Sequence, residues 1–285
     1  MSTIDLDRAF DEAFDEAFDK AFDRALDRFI ADARSVAPIR AVWAHGSLAL
    51  GDYQQGRSDV DLVAVVGSEL TDDQKRALER VHRELIRQEP SVAKLHCSYM
   101  PAGELADADA RHFTWAQGRV LHRPVTPVTR RELHLGNHSL HGESPVDVLP
   151  PVSDQELDEF IRRDLREYWL PHAAKRQYWM IDLWVDLGMV TVARATVTLR
   201  TGRLITKAEA LEELTALRAP AEVVADIRAR RYGEAVPLNP YRRRHRAQRT
   251  GPFLRSAIKA ALALPPRAGW QSVPRRYPTG HGLEA

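Results

Sequence analysis

The sequence predicts an α/β (α+β) domain with a small mixed sheet, followed by an all-α helical bundle. Three observations carry that expectation. An apolar stretch from Arg40 to Ala44 breaks at Gly46-Ser47, and a second strand begins at Ser58 and runs into the continuous apolar segment Leu62 to Val66. A run without polar alternation reads as a strand buried on both faces. Leu70 to Gln88 then has a helical period, with Leu78, Val81, Leu85 and Ile86 on one face, before a further strand at Val92 to Met100. Strands flanking a helix imply a mixed sheet with helices packed on it. From Ser153 onward only helical periods remain, separated by short Gly- or Pro-bearing turns.

Taken in order, residues 1–35 form an N-terminal helix extension. Phe10, Phe14, Phe18, Phe22 and Leu26 recur every four positions, close enough to 3.6 to make one long helix whose stripe drifts around the axis. Packing over the sheet is favoured over a dimerisation face. Residues 36–149 form the sheet domain. Within it, Gly46 lets a backbone N–H approach a bulky anion and Ser47 adds a hydroxyl beside it, a combination suited to phosphate. Asp59 and Asp61 stand two apart at the mouth of the buried strand, so both carboxylates project to one side. Two hard oxygen donors suit a magnesium ion that keeps several waters and also binds phosphate oxygens. Thr71 is the N-cap of the following helix, and acidic residues fill its first turn.

Residues 105 to 152 are irregular, rich in His, Gly and Pro. His122, His134, His138 and His141 could be counted as a zinc set, but no cysteine or carboxylate stands at an accepted spacing, and polar loop histidines are the favoured reading. Pro150-Pro151 marks a linker. The helical domain, 150–236, opens with a capping box, Ser153 with Glu156. Its helices are expected at Ser153 to Glu167, Tyr168 to Gly188, Thr191 to Leu199, Thr206 to Leu217 and Pro220 to Tyr232. Residues 237–285 are basic, Pro-rich and almost free of acids. They read as a largely disordered tail around one short helix, Phe253 to Leu264.

Composition bounds the function. The chain has 285 residues, a formal net charge of +1 and a single cysteine, Cys97. That balance calls for neither nucleic acid nor a membrane surface, and one cysteine excludes an internal disulfide framework. The acidic start does not read as a secretory signal, and no stretch approaches the length of a membrane span. A reducing cytoplasm is the expected location. Oligomeric state is not readable.

The order Gly46, Ser47, Gly51, Ser58, Asp59, Asp61, Leu62 resembles the nucleotidyltransferase signature of the DNA polymerase beta superfamily. The blocks RRELHLGNH and VARATVTLRTGRLITKAEAL extend the resemblance, over about residues 40 to 235, to the spectinomycin and streptomycin adenylyltransferases. The resemblance implies that 36–149 is the nucleotidyltransferase catalytic domain, that Asp59 and Asp61 hold Mg²⁺, and that Gly46, Ser47 and Ser58 serve ATP. It further implies that Arg194 and Lys207 supply cations to the triphosphate, and that the helical domain grips an aminoglycoside-like small molecule. For that acceptor the candidate contacts are His138, near a family tryptophan position, and Asp182 and Asp186. The third acid that such proteins carry on the Val92 to Met100 strand is replaced here by His96. An imidazole is a competent base near neutral pH, so His96 is one candidate to deprotonate the acceptor hydroxyl. Glu104, or a site that only binds nucleotide, are the others. The expected reaction transfers AMP from ATP to a hydroxyl of that acceptor. The alternatives are transfer to RNA or protein, with the basic tail as an unfavoured route to nucleic acid, and a degenerate nucleotide-binding homologue.

Overall fold

The computed structural model describes residues 3–89 and 92–267, with side chains in the first helix from Lys20 onward. The side chains of Phe10, Phe14 and Phe18, the helix stop at Pro90 and the stretch from Ala268 onward lie outside what is described. The chain divides into two compact units. One comprises the described residues up to Ala49 together with Gln55–Pro150, and the other Leu50–Gln54 with the residues from Pro151.

The first unit is built on a six-stranded sheet in the order β5-β4-β3-β2-β1-β6. The strands are β1 (Ile39–His45), β2 (Val60–Val66), β3 (Leu95–Pro101), β4 (Arg111–Ala116), β5 (Arg119–Pro124) and β6 (His138–His141). Only β2 and β3 run parallel, as the crossover between them through α3 (Asp72–Gln88) requires. That helix begins with the N-cap foreseen at Thr71, which the structure completes as a capping box, the Thr71 hydroxyl accepting from the Gln74 amide. β4 and β5, read as irregular from sequence, form a hairpin. Its two-residue turn has positive φ at both Gln117 (54°) and Gly118 (72°), the twist that a tight hairpin needs. A Gln-Gly pair is a weaker turn signal than Asn-Gly, which is why the strands went unread.

Each face of this sheet has its own cover. α1 (Thr3–Val36) and α3 lie on one side, where Phe22, Ala25, Leu26, Phe29 and Ile30 are buried. His82 of α3 sits inside this layer, hydrogen-bonded to the Tyr99 hydroxyl at 2.8 Å and stacked on Trp115. The opposite face carries Ala41, Trp43, Val63, Val65 and Met100 under α4 (Pro127–Gly136) and α5 (Pro145–Val148). Buried Arg130 of α4 donates to the carbonyls of Val125 (2.8 Å), Asp107 (2.7 Å) and Leu105. A guanidinium so placed satisfies carbonyls that have no ladder partner. Gly136 lets α4 approach the short helix α2 (Gly46–Ala49), since a Cβ there would come within 2.5 Å of the Ala49 Cβ.

The second unit is helical: α6 (Asp154–Asp164), a π-helical turn at Leu165–Trp169, α7 (Leu170–Ala173), a 3₁₀ turn at Tyr178–Met180, α8 (Asp182–Thr201), α9 (Lys207–Ala216), α10 (Ala221–Tyr232) and α11 (Pro240–Leu262). The capping box at Ser153 and Glu156 is present. Gly188 does not end a helix as expected. It lies within α8 because a Cβ there would meet the Trp179 ring at 2.9 Å, and Gly251 of α11 approaches the same ring at 3.0 Å. Two glycines thus clamp a fully buried indole.

The tail expectation is corrected over residues 240–262. α11 starts at Pro240, not Phe253, and buries Arg246, Ala247, Thr250, Leu254 and Ile258. Its basic residues were read as solvated, but Arg246 is held by Asp182 and Asp226, each at 2.7 Å. Paired charge does not obstruct folding as a run of like charge would.

Two buried histidines give the first unit a defined acid response. Burial, with the His96 charge adding, lowers the His82 pKa to about 3, and burial with the Arg130 charge lowers that of His112 to about 4. Both stay neutral in the fold while the unfolded chain takes up protons below its ordinary histidine pKa. The unfolded state then binds more protons, so stability falls with pH through that window, by about 1.4 kcal/mol per unit per histidine. In urea titrations at pH 7 and pH 5, the acid-induced loss should be about 2 kcal/mol smaller for His112→Leu than for wild type. Equal losses would show that His112 titrates normally in the fold.

Candidate active site

Strand register assembles the site. His45, Asp61 and His96 are ladder partners across β1, β2 and β3, so the three side chains line up on the face that α4 covers. Asp61 Oδ1 lies 3.2 Å from His96 Nδ1. Asp59 stands one residue ahead of β2; it and Asp61 are half-buried, while Ser58, Val60 and Leu62 are buried. That alternation sets both carboxylates on one side, as the spacing predicted. Ser47 and Ser58 are buried alongside.

Gly46 is required here. Its φ is +63°, and a Cβ on it would approach Asp61 Oδ2 to 2.8 Å. The turn backbone is therefore pressed against the carboxylate, an approach that no side chain permits. Gly46 to Ala49 form a single helical turn rather than the simple break that was foreseen.

His45 and Glu132 were missed by the sequence reading. Glu132 of α4 is buried, and its Oε2 lies 3.5 Å from His45 Nδ1, an ion-pair separation rather than a hydrogen bond. Burial opposes charge on His45, but Glu132, with Asp61 adding its charge, outweighs it and holds the histidine pKa above its ordinary value. The row Glu132, His45, Asp61, His96 thus alternates carboxylate and imidazole. No sequence signal joins Glu132 to His45, since the contact exists only once α4 lies on β1.

Oxygen donors dominate the metal-binding possibilities. Among the described residues no group of three His, Cys, Asp or Glu could hold a metal ion, and the tetrahedral set that zinc needs is not formed by His122, His134, His138 and His141. Two carboxylates beside a tight glycine turn fit Mg²⁺, which binds through one or two acids and takes its other oxygens from water and phosphate.

In the helical unit, Arg194 Nε donates to the Ile205 carbonyl at 2.8 Å, tying α8 to the turn that leads into Lys207, the first residue of α9. Thr206 caps that helix. Asp186 accepts Arg230 at 2.6 to 3.1 Å, and Asp182 pairs with Arg246 at 2.7 Å. Burial raises the Asp186 pKa despite the arginine, whose hydrogen bond and charge act the other way. Both carboxylates that the sequence offered to a cationic sugar are thus engaged by arginines of their own unit. His138 is exposed on β6, where it pairs with Ala44. Glu104 lies 3.2 Å from the buried His112.

Residues 26–115 match the family model described as "Nucleotidyltransferase domain". Among solved structures, spectinomycin adenyltransferase AAD(9) from Enterococcus faecialis, determined with ATP and spectinomycin, superimposes with a TM-score of 0.62 at 16% identity, covering 83% of this chain and 97% of that one. No curated protein matches the sequence. No helix among the described residues is long and apolar enough to cross a membrane. Residues 26–115 thus match a nucleotidyltransferase domain, and the chain shares the fold of that solved adenyltransferase.

Proposed function

We propose that the protein transfers AMP from ATP to a hydroxyl of an aminoglycoside-like small molecule, releasing pyrophosphate. The observation that carries this reading is Asp61, set between His96 at 3.2 Å and the Gly46 turn at a separation that leaves no room for a Cβ. In this reading Asp59 and Asp61 hold Mg²⁺, which when bound would supply positive charge to the phosphate oxygens. The backbone at Gly46 and the Ser47 hydroxyl receive phosphate, with Ser58 alongside. The Asp61 contact favours the proton on His96 Nδ1, leaving Nε2 as the acceptor for the proton of the attacking hydroxyl. His96 then acts as general base in place of the missing third acid. Arg194 and Lys207 are proposed to offset charge growing on pyrophosphate. No covalent intermediate is needed, because attack on the α-phosphorus is direct.

The acceptor is the finer part of the proposal. A cationic sugar would compete with Arg230 and Arg246 for Asp186 and Asp182, and His138 is the remaining candidate contact. The pairing of Arg246 with Asp226 and of Arg249 with Glu222 supports a small-molecule acceptor over RNA, since these basic residues are matched by acids of the same unit. The cytoplasm, where ATP is abundant, is the proposed compartment.

Pyrophosphate release from ATP and Mg²⁺, screened over spectinomycin, streptomycin, other aminoglycosides and bulk RNA, tests the reading. Asp61→Asn should abolish release. Should no acceptor stimulate release by the wild type, transferase activity on these compounds is ruled out. His96→Ala should lower kcat by about 10²- to 10⁴-fold, the range for loss of a general base; a wild-type rate would remove His96 from the chemistry. Gly136→Val should push α4 off Ala49 and shift the Gly46-Ser47 turn, reducing kcat/KM while circular dichroism still reports a folded chain.

A further inference from the structure

Asp52 has a setting that the chemistry above does not use. It lies between Ser47 and Asp59, inside the loop of the catalytic signature, yet the segment Leu50–Gln54 belongs to the helical unit. Its side chain is buried, and both carboxylate oxygens are engaged. Oδ2 accepts the backbone N–H groups of Lys207 (2.9 Å) and Ala208 (3.3 Å) and Arg231 Nη2 (3.1 Å). Oδ1 accepts the Tyr232 hydroxyl at 3.1 Å, and the Asp52 carbonyl accepts Arg231 Nη2 at 2.8 Å.

Helix α9 does not need Asp52 as its cap. Thr206 already serves, accepting the Glu209 amide at 3.1 Å. Asp52 instead occupies the first two amides, where the helix dipole and open N–H groups hold an anion most strongly. The same carboxylate reaches the end of α10 through Arg231 and Tyr232, and so joins the start of one helix to the end of the next. A charge that is buried and multiply hydrogen-bonded fixes position tightly, because any shift of the helix leaves it unsatisfied.

We infer that Asp52 is a positioning residue for Lys207: through it, the loop of the catalytic signature sets where the first turn of α9 lies and so where the lysine is presented to the triphosphate. This rests on the proposed role of Lys207. Asp52 itself touches no reacting atom.

The test uses the full chain, with affinity for a fluorescent ATP analogue and KM and kcat for ATP measured on wild type, Asp52→Ala, Asp52→Asn, Lys207→Met and the Asp52→Ala/Lys207→Met double variant. Asp52→Ala should raise KM and weaken analogue binding by about 10- to 100-fold, the size expected when charged hydrogen bonds are lost, with a smaller change in kcat. Asp52→Asn keeps one acceptor oxygen and should recover part of the loss. In the Lys207→Met background, Asp52→Ala should add little, since two changes acting through one group do not sum. A purely structural Asp52 would lower the melting temperature and leave KM alone, or give additive losses with Lys207→Met, and either result overturns the inference. If wild type binds no nucleotide, the triphosphate role of Lys207 fails and this inference with it. If wild type binds ATP and Asp52→Ala binds it equally well, the inference alone fails.

Discussion

The register between β1, β2 and β3 is the constraint on which the site depends. Side chains alternate between faces with a period of two, so a slip of one residue in β2 would turn Asp61 away from α4, to the face covered by α1 and α3. What prevents the slip is the apolar content on both faces. Val60, Leu62 and Ala64 pack toward α1 and α3, while Val63 and Val65 pack toward α4. Burial of the strand core and placement of the carboxylate are therefore one event.

Charge is then arranged around that carboxylate by elements from well-separated parts of the chain. His96 arrives on the parallel strand β3, His45 on the antiparallel strand β1, and Glu132 on a helix that crosses the sheet. The acid is flanked by two imidazoles without being sealed from solvent, Asp61 lying 3.2 Å from His96 and opposite His45 in the ladder.

The helical unit adds ion pairs to its apolar contacts at several junctions. Asp182, Asp186 and Asp226 meet Arg230 and Arg246, and Asp52 meets Arg231. Removing Arg231 would strand the buried Asp52 charge at a cost of about 3 to 5 kcal/mol. These pairs also explain how a helix as rich in arginine as α11 packs: buried Arg246, with Arg243 and Arg249, meets acids on α8 and α10.

Local features were legible in the sequence because they are set by a few neighbouring residues. The glycine-serine corner, the two acids spaced for one face of a strand, the caps at Thr71 and Ser153, and the succession of sheet domain and helices all follow from short-range turn chemistry and hydrophobic period. The hairpin of β4 and β5, the passage of α8 through Gly188 and the length of α11 did not follow, since each depends on what lies against the segment in space. The same holds for His45 with Glu132 and for Asp52 with Lys207, whose partners are far apart in the chain. A pairing of that kind has no periodicity to read; it is decided by packing, which alone determines which charges are close enough, and dry enough, to hold one another.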